Sequence, residues 1–74
     1  MTEPREYVVC VSNEGYRASL VVRRIYESLP DAEATSRGLV RVVDESGEDY
    51  LFPRVLFEAI DLPAEVRRKL AHAT

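Results

Sequence analysis

The stretch Asp44-Glu45-Ser46-Gly47-Glu48-Asp49 places four carboxylates within six residues. Carboxylates are hard oxygen ligands, so this is the segment where a divalent cation would be held. The spacing is not that of a calcium-binding loop, and a charged tip of this kind reads first as a solvated hairpin end. No metal is assigned to it. His72 is the only histidine. It lies near the C-terminus without the partners that a general base or a metal ligand needs. Ser12, Ser19, Ser28, Ser36 and Ser46 therefore have no histidine with which to build a hydrolase triad. Gly15, Gly38 and Gly47 are too scattered to form a phosphate loop. Cys10, the single cysteine, can form neither an internal disulfide nor a multi-thiolate metal site. Flanked by Val9 and Val11, it reads as a small buried hydrophobe. The expectation is a non-catalytic protein with no cofactor.

Binding chemistry is better represented. The chain has four tyrosines and two phenylalanines. Phe52 and Phe57 read as core. A tyrosine combines an apolar ring with a polar tip, and tyrosine and arginine are enriched where proteins meet. Tyr16, beside Arg17 in a loop, and Tyr50, on the return strand of a hairpin, are the tyrosines expected to reach the surface. Net charge is −3, from ten basic and thirteen acidic residues. An acidic domain gains little from counterion release unless its arginines converge. The alternative to a protein partner is a nucleic acid, met by Arg17, Arg23, Arg24 and Arg41 on phosphates and by Tyr16 stacking on a base. The runs Arg23-Arg24 and Arg67-Arg68-Lys69 otherwise read as solvated faces.

The elements that must position these groups are short. YVVCV, residues 7–11, is β-branched and apolar and predicts a buried strand. Asn13 and Gly15 mark a loop. Residues 19–29 predict a second extended stretch, broken or twisted near Arg23-Arg24 and ended by Pro30. Residues 31–38 predict one helical turn, capped by Asp31 and closed by Gly38. LVRVV and DYLF around ESGE predict a hairpin whose turn uses Gly47. Pro53 ends the return strand, Arg54-Val55-Leu56 suits one 3₁₀ turn, and Phe57, Ala59 and Ile60 form a brief last strand. Pro63 then opens a helix with Glu65 in its first turn and its basic residues toward the end, matching the helix dipole. Leu62, Val66 and Leu70 give it a narrow apolar stripe, expected to pack on the barrel or on another copy.

Length sets the remaining bounds. With 74 residues the chain is one domain at most. A domain this small buries only roughly 60% of the surface of its unfolded chain, which leaves little room for a deep cleft. No apolar run approaches the roughly 18 residues that span a bilayer. The segment MTEPREY lacks the apolar core of a secretory signal, so a cytoplasmic location is expected.

The sequence Leu51-Phe52-Pro53-Arg54-Val55-Leu56-Phe57 resembles the corner before the last strand of Src-homology-3-type barrels, with Phe52, Pro53, Leu56 and Phe57 at the matching positions. SLVVRRIYESL is similar to that family's diverging turn and second strand, with Arg23-Arg24 where the family usually has Gly-Asp. The likeness covers residues 6–61 and implies a five-stranded β-barrel, to which residues 62–74 add a helix. It also implies a groove containing Pro53 and Leu56. The family's groove binds proline-rich peptides through aromatic side chains. Here no aromatic stands at Val11 to Glu14, where the family's first-strand tyrosine motif would fall, tryptophan is absent, and Leu56 replaces the second groove tyrosine. The resemblance therefore carries the fold better than that ligand. The whole chain also resembles a group of short bacterial proteins sharing a GY…SL…Y…LPD…G…RVVDESGEDYLFP pattern, which implies a bacterial source and the same fold, but no activity. The expected function is a small interaction module for another protein or for itself, using Tyr16, Arg17, Tyr50, Pro53 and Leu56.

Overall fold

A computed structural model describes residues 6–72 of the chain; residues 1–5, most of the MTEPREY segment, and residues 73–74 lie outside it. In order, the elements are β1 (Glu6–Cys10), β2 (Ile25–Leu29), α1 (Ala32–Ser36), β3 (Leu39–Val43), β4 (Asp49–Pro53), a 3₁₀ turn (Arg54–Leu56), β5 (Phe57–Ile60) and α2 (Ala64–Ala71). The five strands form one sheet in the order β4-β3-β2-β1-β5, with every neighbouring pair antiparallel. The last strand thus returns to lie beside the first. Among the described residues no helix is long and apolar enough to cross a membrane.

Strand side chains alternate between faces, and the register decides which apolar residues meet. Val8 lies opposite Tyr26 and Ala59, Cys10 opposite Phe57, and Val40 opposite Phe52. That face holds the core, where Val8, Cys10, Tyr26 and Val42 pack with Phe52 and Phe57. Two further side chains close it from outside the sheet: Leu20 from the first loop and Leu56 from the 3₁₀ turn. Pro53 is the last residue of β4, an edge strand paired only with β3, where its missing N–H costs no ladder bond. The corner it makes brings Leu56 and Phe57 back over the core.

The local predictions for the crossover hold. Asp31 caps α1 by accepting from the Ala34 amide at 3.0 Å, and Gly38 takes φ 75° just after it. Gly47, at φ 85°, makes the hairpin turn. The second extended stretch is shorter than expected. Only Ile25–Leu29 is strand, and residues 19–24 form a looped approach to it. Leu20 is drawn into the core, and Arg23 adopts a left-handed φ of 75° that no strand permits. Its amide donates to the Cys10 carbonyl at 2.7 Å, which fixes the turn.

Helix α2 is more exposed than the strands. Its stripe does not pack tightly on the sheet: Val66 and Leu70 remain 40% and 38% exposed. Leu62 and Arg67 are half-buried. Pro63, at φ −54°, starts the helix just beyond the sheet.

Candidate functional site

The first loop, residues 11–24, and the β3–β4 hairpin meet at one end of the sheet. The loop is held by its own bonds. The Tyr16 amide donates to the Asn13 carbonyl at 2.8 Å, and the Asn13 side-chain amide donates to the Leu20 carbonyl at 3.0 Å. Gly15 supplies the positive φ, 84°, that lets the chain turn there. The turn sets the Tyr16 ring edge-on to Phe52, with centroids 5.3 Å apart. Phe52 meets Phe57 in the same way, and Phe57 meets Tyr26, so four rings form a continuous edge-to-face chain from surface to core. Tyr16 and Tyr50 flank a shallow groove of about 380 Å³, with Phe52 behind it and Ser19, Asp44 and Ser46 along its sides. Tyr50 is 50% exposed and Tyr16 36%, with Leu51 also exposed beside them.

A polar network backs this groove. Asp44 is buried and accepts from both the Ser46 amide, at 2.8 Å, and the Ser46 hydroxyl. The Glu45 amide donates to the Ser19 carbonyl at 3.1 Å, fastening hairpin to loop. The Glu45 carboxylate accepts from Arg24 at 2.8 Å and from the Tyr26 hydroxyl. That hydroxyl in turn accepts from the Val21 amide at 2.8 Å. Burial, reinforced by the Glu45 carboxylate, pushes the Tyr26 phenol up to about 12. The Tyr26 hydroxyl, aided by Arg24, holds Glu45 below the ordinary glutamate value. Arg41 bridges Asp31 at 2.9 Å and Asp49 at 3.0 Å.

The acidic segment is thus not one solvated tip. Asp44, Glu45 and Asp49 each have separate internal partners, and Glu48 is left exposed. Hydrogen bonding and ion pairing have dispersed the four carboxylates. Among the described residues no three His, Cys, Asp or Glu side chains converge as a metal site. Cys10 is buried, its thiol donating to the Ser12 carbonyl at 3.3 Å, and burial pushes its pKa up.

The structure brings together only part of the expected set. Tyr16 and Tyr50 share the groove, and Arg17 is exposed next to Tyr16. Leu56 is a core residue, 6% exposed, because the 3₁₀ turn drives it inward. Pro53 is half-buried at the far end of β4 from Tyr50. Of the four arginines considered for phosphates, Arg17, Arg23 and Arg24 are exposed, and Arg24 and Arg41 are ion-paired within the chain, to Glu45 and to Asp31 and Asp49. The chain matches no protein-family model, no curated protein and no solved structure. Its functional reading therefore rests on its own geometry.

Sequence reasoning did not find a second, larger groove at the opposite end of the sheet. It measures about 770 Å³ and lies between the start of β1, the start of β3, the 3₁₀ turn and β5. Val8, Val40 and Phe57 contribute to it, as does Tyr7, whose buried hydroxyl has no hydrogen-bond partner among the described residues. No local motif marks this groove. The small residues Ser28 of β2, Gly38 of the turn after α1 and Ala59 of β5 are among those that line it.

Proposed function

We propose that this chain is a small, non-catalytic, cytoplasmic module that binds other proteins, built as a half-open barrel of the Src-homology-3 kind. The strand order, the 3₁₀ turn before the last strand and the left-handed Arg23, at the position where the resembled barrels carry glycine, support the barrel reading. The observation that carries the binding reading is the Tyr16–Tyr50 groove. Tyr16 is held edge-on to the buried Phe52, and the exposed Tyr50 lines the same groove with Leu51. Aromatic rings that are already fixed lose little entropy when a partner covers them, and they present both an apolar face and a hydrogen-bonding tip. The acidic network behind the groove gives a partner peptide carrying arginine or lysine an electrostatic advantage over an acidic one.

The test compares proteins retained by the native chain with those retained by a Tyr16→Ala/Tyr50→Ala double variant whose fold is verified by circular dichroism. A specific partner enriched on the native chain and lost from the variant is expected. Equal retention by both, or no enriched partner on either, would sink this reading.

A further inference from the structure

Two surfaces at the open end of the sheet are unsatisfied, and they are complementary. One is helix α2, eight residues and about 12 Å long. Isolated helices of this length are marginal in water, and they persist when an apolar face is covered. Yet Val66 and Leu70 stay two-fifths exposed. The other surface is the groove of about 770 Å³, with Val8, Val40 and Phe57 in its apolar part. The charges also match. Arg68 and Lys69 stand in the last turn of the helix, and Glu6, Glu58 and Asp61 line the groove against two basic side chains, Arg54 and the same copy's Arg67. The helix is rooted at the rim of its own groove through Leu62 and Arg67 and leaves that groove open.

We infer that the chain self-associates as a twofold dimer in which α2 of each copy lays Val66 and Leu70 into the other copy's groove. This deepens the binding-module reading by naming one partner and a site separate from the Tyr16–Tyr50 face. A reciprocal contact buries both stripes and both grooves in a single isologous interface, and no third surface is required. The pairing is the helix-in-groove mode, with anchors at i and i+4 and basic residues meeting an acidic rim.

Sedimentation equilibrium of the full chain and two single variants tests this. Leu70→Glu places a charge on an exposed helix position, and Ala59→Trp fills the groove from an exposed strand position. The native chain is expected to dimerise with a Kd that rises with salt. Each variant is expected to weaken dimerisation tenfold or more while keeping a native circular-dichroism spectrum. An equimolar mixture of the two is expected to associate more strongly than either alone, because an intact helix then meets an intact groove. A native chain that is monomeric up to millimolar concentration overturns the inference, as does a dimer unmoved by both variants. If partner capture by the Tyr16–Tyr50 face persists in that case, the dimer fails and the module reading stands. Loss of that capture with an intact dimer gives the reverse.

Discussion

The two ends of the sheet differ in how they are closed. At the end made by the first loop and the hairpin, polar groups are matched: Arg24 and Tyr26 both donate to the Glu45 carboxylate, Asp44 accepts from Ser46, and the ring chain runs beneath them. At the other end the strands open onto a large groove rimmed by Leu62 and Arg67, and the Tyr7 hydroxyl is buried without a hydrogen-bond partner among the described residues. Two tyrosines on adjacent strands, each 6% exposed, are therefore in opposite situations. A small domain concentrates its specific bonds where they fix the fold, and a less complete end is where a surface is left to offer.

The comparison breaks most clearly at the ring chain. At roughly 0.05–0.15 kcal/mol per residue, a domain of this size has a total stability of about 4–11 kcal/mol. Phe52 is buried between Tyr16 and Phe57, so Phe52→Ala removes a core ring and leaves a cavity, with an expected loss of about 3–5 kcal/mol. Val55, 83% exposed at the open end, is the control. Val55→Ala is expected to change stability by no more than about 0.5 kcal/mol. Urea unfolding of both variants measures the difference, and comparable losses would remove the asymmetry.

The paired tyrosines sharpen it with one substitution made twice. Tyr26→Phe deletes a hydroxyl bonded to the Glu45 carboxylate and the Val21 amide, and is expected to cost about 1.5–3 kcal/mol, as for a hydrogen bond to a charged group. Tyr7→Phe deletes a buried hydroxyl with no hydrogen-bond partner among the described residues, so no loss is expected and a gain of about 1 kcal/mol is. Opposite signs at equal burial would show that matching, not burial, governs these sites. A destabilising Tyr7→Phe would contradict the open-end description.

Much of the local structure was legible because it depends on residues near one another in sequence. The cap at Asp31, the turns at Gly38 and Gly47, the hairpin, and the corner at Pro53 followed by one 3₁₀ turn all follow from backbone chemistry within a few residues. The surface placement of Tyr16 and Tyr50 followed from their loop and hairpin settings. What was not legible is long-range. Glu45 meets Tyr26 nineteen positions away, and nothing in DESGE announces that its carboxylates have separate partners. Leu56 was expected in a groove because it matches the second groove tyrosine of the resembled family, yet the 3₁₀ turn carries it over the core and buries it. The open groove is lined by residues of several elements, which no window of sequence contains.

Titration gives the next effect. The Tyr26 phenol is raised to about 12 from an ordinary value of 10.0, so the fold favours the protonated form. The associated stability is fully present below pH 10 and is lost as pH rises from 10 toward 12. Unfolding midpoints of the native chain should therefore fall across that window more steeply than those of Tyr26→Phe. Parallel curves would mean that Tyr26 is not held by its neighbours.

The acid limb gives the smallest effect. Glu45 is lowered below its ordinary 4.5, chiefly by the Tyr26 hydroxyl and also by Arg24, with its own burial opposing. A carboxylate depressed in the fold contributes stability that is present above its ordinary value and lost as pH falls through the depressed one. Glu45 is partly solvated, with its side chain 31% exposed, so water screens the contribution. Asp31, lowered by the Ala34 amide and Arg41, acts in the same direction, so the native chain should lose stability below about pH 4 through both groups. In Glu45→Gln the Asp31 share persists and the Glu45 share disappears, so the acid slope is expected to become shallower without vanishing. An unchanged slope would place all acid sensitivity at the α1 cap, and would mean that the hairpin is fastened to the first loop by the Glu45 amide and the Ser19 carbonyl without help from the carboxylate.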